Sequence, residues 1–96
     1  MPRYILLLNW TDQGAKNVKD TVSRAAAARQ LFEKSGARLA DAAWTLGPYD
    51  LVLTVEAPDD ETLIASNLAL AKLGNVRTTT LRAFNESEMQ RIVQKL

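Results

Sequence analysis

Ninety-six residues, twelve Lys and Arg against eleven Asp and Glu, and neither cysteine nor histidine: this composition bounds the chemistry before any motif is sought. Catalysis by imidazole or thiol, Cys/His metal sites and disulfides are excluded. A formal net charge of +1 supplies no field for a phosphate backbone, so nucleic acid is not an expected partner. A chain of this length reads as one domain spanning residues 1–96. With no run of roughly 18 apolar residues and no signal-peptide layout at Met1-Pro2-Arg3-Tyr4, a cytoplasmic location without membrane contact is expected. No metal or cofactor is expected either.

Tyr4 to Leu8 reads Tyr-Ile-Leu-Leu-Leu, a short apolar run that predicts a strand buried on both faces. The polar stretch from Thr11 to Asp20 leads into a helix that Asp20 or Thr21 can cap, whose apolar face carries Val22, Ala25, Ala28 and Phe32, and which Gly36 closes. Arg38 to Leu46 alternates as a second strand. Ala40, Ala42, Trp44 and Leu46 fall on one face, and Leu39, Asp41, Ala43 and Thr45 on the other. Trp44, beside two small alanines, is expected in the core.

Gly47-Pro48-Tyr49-Asp50 is a turn signal that makes a hairpin to the third strand, Leu51 to Ala57. Pro58-Asp59-Asp60-Glu61 then opens a helix with carboxylates at its positive end, running through Leu63, Ile64, Leu68 and Ala71 to Gly74. Asn75 to Ala83, with three consecutive threonines and two arginines, is too β-branched for a helix and too polar for a central strand, which predicts an edge strand. Asn85 and Glu88 form a capping box, and Met89, Ile92, Val93 and Leu96 make an apolar stripe on a last helix.

The order β-α-β-β-α-β plus a C-terminal helix predicts an α+β fold, the ferredoxin-like plait with strand order 4-1-3-2. Both main helices then cover one sheet face. The other would show Ile5, Leu7, Val52, Ala43 and Leu81, a contiguous apolar patch that is costly to leave in water, so a homodimer or higher homo-oligomer stacked through this open face is expected. The alternative is a monomer whose C-terminal helix folds over its own sheet.

The same topology gathers Asn9, Trp10 and Thr11, Tyr49 and Asp50, and Asn75 and Arg77 at one end of the domain. Asn9, Trp10, Tyr49, Asp50 and Arg77 are therefore the candidate ligand-binding residues, with aromatic walls and few polar anchors. Four of them have a plainer reading: Asp50 accepting backbone N–H bonds, Tyr49 packing on the hairpin, Arg77 pairing with Asp50, and Trp10 lying in the core. No phosphate-binding glycine loop or paired catalytic carboxylates can be read.

Ile5 to Gly14, Gly47-Pro48-Tyr49-Asp50 running on to Asp60, and Gly74 to Phe84 resemble the GYD domain family of small bacterial proteins along nearly the whole chain. That resemblance implies a ferredoxin-like assembly of the dimeric α+β-barrel type and carries over no catalytic residue. The blocks Gly47 to Leu51 and Gly74 to Thr78 also resemble the ligand-sensing domain of leucine-responsive/AsnC-type regulators, without their helix-turn-helix half. The leading expectation is a homo-oligomeric module that binds a small metabolite. A small cofactor-free enzyme using Asp50 or Tyr49, or a purely structural or interaction subunit, are the alternatives.

Overall fold

A computed structural model describes all 96 residues. The chain runs β1 (Arg3–Trp10), α1 (Asp12–Lys16), a 3-10 turn (Val18–Asp20), α2 (Thr21–Lys34), β2 (Arg38–Trp44), β3 (Leu51–Glu56), α3 (Asp60–Ala71), β4 (Val76–Ala83) and α4 (Glu86–Val93). The strands form one four-stranded antiparallel sheet in the order β2-β3-β1-β4, with the polar β4 at an edge. This is a small α+β fold with helices on one sheet face.

The core lies between that face and the helices. β1 contributes Tyr4, Leu6 and Leu8, β3 contributes Leu51, Leu53 and Val55, and Ala28, Phe32, Leu63 and Leu70 close over them from α2 and α3. Ile5 and Leu7 alternate with the buried set and are only half-buried. Within one chain, then, β1 is covered on one face rather than two. Its unbroken apolar run marks a second face that this chain leaves bare.

Further expectations change in the structure. The alternation of β2 breaks at a bulge between Leu39 and Asp41, which leaves Ala40 unpaired. Past the bulge the faces exchange, so Leu39, Ala42 and Trp44 stand opposite Val55, Leu53 and Leu51 on the helix side. Leu39 is thus a core residue at 4% exposure, whereas Trp44, at 42%, lies at the rim with Nε1 donating to Thr21 Oγ1 over 3.0 Å. On α3 the buried stripe is Leu63, Ser66 and Leu70, while Ile64 and Leu68 face out. Ser66 enters the core because its hydroxyl donates to the Thr62 carbonyl at 3.0 Å, satisfying the polar atom inside the helix. Val22 likewise points outward, and α2 buries only Ala28 and Phe32.

α4 carries its full capping box, the Asn85 side chain and the Glu88 backbone N–H meeting at 2.8 Å and the reverse pair at 3.0 Å. Yet none of its residues is buried, and Met89, Ile92, Val93 and Leu96 all stand exposed. It does not fold back over its own sheet. No helix of the chain is long and apolar enough to cross a membrane.

Candidate functional site

The end of the sheet where β1 stops and β4 starts is stitched together by α1. Thr11 is the pivot: its side chain caps α1 by accepting from Gly14 N at 3.2 Å and donates to the Gly74 carbonyl at 2.6 Å, and its backbone N–H reaches Asn75 O at 3.1 Å. Gln13 Nε2 adds bonds to Leu73 O and Asn75 Oδ1, both 3.0 Å. The approach of α1 to this loop is so close that a Cβ on Gly14 would sit 2.0 Å from Asn75 O. Gly74 supports the same loop from a left-handed conformation at φ +80°.

Of the five candidate residues, Asn9 and Arg77 face each other as a register pair across β1 and β4. The alternation of β1 and β4 puts that pair on the bare sheet face, and Trp10, paired with Val76, on the helix side. Asp50 is otherwise occupied. Its Oδ2 accepts the Trp10 backbone N–H at 3.0 Å and its own N–H donates to Leu8 O at 2.8 Å, so it locks the start of β3 to the end of β1. The anticipated Arg77–Asp50 ion pair does not form; the ion pairs present are Arg38–Glu56 and Arg82–Glu88. Tyr49 is half-buried, with its carbonyl accepting the Thr45 hydroxyl at 2.6 Å, and it lines neither hollow described next.

Two hollows share Trp10 as a wall. One is shallow and polar, bounded by Trp10, Thr11, Asp12, Gln13, Gly74 and Arg77. The other is an apolar cleft of about 80 Å³ between α2 and α3, floored by Leu8, Leu51 and Leu53. The structure thus joins Trp10 and Arg77, sets Asn9 beside Arg77, and leaves Tyr49 and Asp50 outside. Thr11, already grouped at this end, is joined by Asp12 and Gln13, and by Gly74, which the sequence marks only as the end of a helix. The Thr-x-x-Gly spacing of a capped turn was the available signal.

The opposite end of the sheet is a separate polar cluster. Tyr4, 3% exposed, donates its hydroxyl to Asp60 Oδ1. Desolvation, with the Asp60 carboxylate reinforcing it, pushes the phenol up to about 12. Arg82 lies over the rings of Tyr4 and Phe84, 5.6 and 4.5 Å from their centroids. Asp59 and Glu88 are held below the ordinary carboxylate range, mainly by the helix-start backbone N–H groups of Thr62 and Asn85. These are fold-stabilising arrangements, distant from Trp10.

An antiparallel sheet with helices on one face, a bare second face and a small hollow at one end defines a small α+β domain in outline. The chain belongs to the GYD domain family, matching it over residues 4–93. It is 37% identical over 90 residues to a Thermus thermophilus protein named glutamine synthetase and cystathionine beta-lyase binding protein, covering 93% of this chain and 95% of that one. Among solved structures it is similar to TTHA0845, also from Thermus thermophilus, with TM-score 0.58, 26% identity, and coverage of 88% of this chain and 95% of the other. It is also similar to MtbAldR, with TM-score 0.68, 16% identity and 88% of this chain covered. The match takes in 54% of MtbAldR, so this chain spans about half its length, and that likeness is one of fold.

Proposed function

We propose that the protein is a homodimeric binding module, one folded unit over residues 1–96, built as a ferredoxin-like plait whose two sheets stack in the dimeric α+β-barrel manner. In this reading each subunit holds a small polar or amphipathic metabolite in the end hollow that Trp10 and Arg77 both line, with Asn9 beside Arg77 on the bare sheet face. The observation that carries the reading is Arg77: a guanidinium at the rim of a hollow, next to an aromatic wall, engaged in neither ion pair of the fold. A bidentate cation of this kind suits a carboxylate. Asp50 and Tyr49 act in the hairpin rather than on the ligand, and Asp50, tied to the Trp10 N–H, favours holding over proton transfer. A thermal-shift screen of amino acids and small carboxylates tests the reading. Stabilisation is expected from at least one of them and should vanish in Arg77→Ala; an absence of hits across a broad set at millimolar concentration rejects it.

A second reading is favoured by the 37% identical relative, whose name records binding to two enzymes. Under it the module docks on an enzyme of amino-acid metabolism, with the ligand or the exposed α4 stripe modulating the contact. Sedimentation of the purified chain mixed with glutamine synthetase from its own source is the test. A faster-moving complex supports docking, and independent boundaries for the two proteins at micromolar concentration exclude it.

A further inference from the structure

The apolar cleft between α2 and α3 lies on the helix side of Trp10, apart from the polar hollow at Arg77. It exists because α2 crosses the sheet with alanine at positions 25, 27 and 28, side chains too short to fill the space above Leu51 and Leu53. Leu70 and Leu73 of the opposite wall do not close it either. Interiors are otherwise packed to crystal-like density, so an apolar space of about 80 Å³ is room for a compact apolar group. Water fills it poorly, since a bound water needs two to four polar partners and the surface of this lining is almost wholly apolar.

One lining residue is charged. Arg24 lines the cleft, and its guanidinium is fixed in place by the carbonyls of Asn17 at 2.6 Å and Gly14 at 3.2 Å. Those carbonyls orient the cation, and Arg24 belongs to neither ion pair of the fold. A preorganised cation in the wall of an apolar hollow, outside both ion pairs of the fold, suits an anion carrying a compact apolar tail. The space is about half the roughly 150 Å³ that accepts benzene in an engineered core, which suits a branched aliphatic group better than an aromatic ring.

We propose that the α2–α3 cleft is a second ligand site that binds a short aliphatic carboxylate, its branched tail among Ala25, Ala28, Leu70 and Leu73 and its carboxylate on Arg24. This site is independent of Arg77. Chemical-shift mapping of the full chain with 4-methylpentanoate, alongside its uncharged amide and acetate, tests the assignment. Saturable shifts with intermolecular NOEs to the Leu70 and Leu73 methyls are expected for the acid. Arg24→Met should weaken the acid roughly tenfold or more while leaving the amide unchanged, as expected for loss of a charge-assisted bond. Ala25→Leu should fill the cleft and abolish binding, and Arg77→Ala should leave it intact. The proposal is overturned by absence of saturable binding at millimolar ligand, by equal loss of acid and amide in Arg24→Met, or by loss of binding in Arg77→Ala. If Ala25→Leu does not fold, the NOEs and the Arg24→Met comparison decide the question alone.

Discussion

Gly14 and Tyr4 show how single residues hold the two ends of this sheet. At Gly14 the obstacle to any side chain is the Asn75 carbonyl, which is backbone and cannot rotate away. Gly14→Ala must either spread α1 from the loop before β4 or break the Thr11–Asn75 hydrogen bond. A loss of about 3 kcal/mol or more in denaturant unfolding is expected, beyond the usual range for overpacking. At the other end, the Tyr4 phenol is raised from 10.0 to about 12 by burial and by Asp60. The folded state therefore favours the neutral phenol. Its contribution to stability is complete below about pH 10 and is lost as pH rises through about 12. Thermal unfolding midpoints should fall across that window in the native chain, and fall less in Tyr4→Phe, which has no phenol to ionise. Neither role was visible in the sequence: Gly14 read only as part of a polar stretch, and the Tyr4–Asp60 contact joins residues 56 positions apart.

At the scale of elements, what could be read locally was read well and what depended on packing was not. The capping box of α4 and the edge placement of β4 follow from neighbouring side chains and residue type. The bulge in β2 does not, because a period of two carries no mark of where an extra residue is inserted, and every face assignment of Leu39, Ala42 and Trp44 turns on it. The stripe of α3 failed for a related reason. Counting apolar residues passes over Ser66, which the helix itself satisfies, and so chooses Ile64 and Leu68, one step round the cylinder. At the site, topology brought Trp10 and Arg77 to one hollow, but it could not foretell that Asp50 is consumed by the Trp10 N–H. For α4, whose eight residues are too few to persist in water on propensity alone, the cap is decisive. Asn85→Ala removes the cap bond to Glu88 N at a cost of about 1 kcal/mol. Amide exchange at Met89 to Val93 should accelerate roughly fivefold, the same energy expressed as a ratio, while Leu6 and Leu53 in the sheet stay protected.

For the molecule as a whole, the two halves of its apolar surface have unequal fates. The helix-side half is sealed by Phe32, Leu63 and their neighbours, whereas Ile5, Leu7, Val52 and Leu81 lie on a sheet face covered by nothing of the chain's own. Ile5, Leu7 and Val52 are already half-buried, so covering these four side chains returns about half or somewhat more of the roughly 1.5–3 kcal/mol each that full burial is worth, on both subunits of a stacked pair and before the costs of association. Leu7 stands at the centre of that face, between Val52 on β3 and Thr79 on β4. Because its side chain is outside the core of the single chain, Leu7→Lys should leave the fold intact while placing two like charges near the middle of the stacked sheets. The expected result in analytical ultracentrifugation is a dimer for the native chain and a folded monomer, with unchanged far-UV circular dichroism, for Leu7→Lys. Raising the salt should not dissociate the proposed dimer, since the contact it would rely on is apolar rather than ionic. A native chain that sediments as a monomer at micromolar concentration would show that the bare face is stable in water, and the stacked arrangement would have to be abandoned.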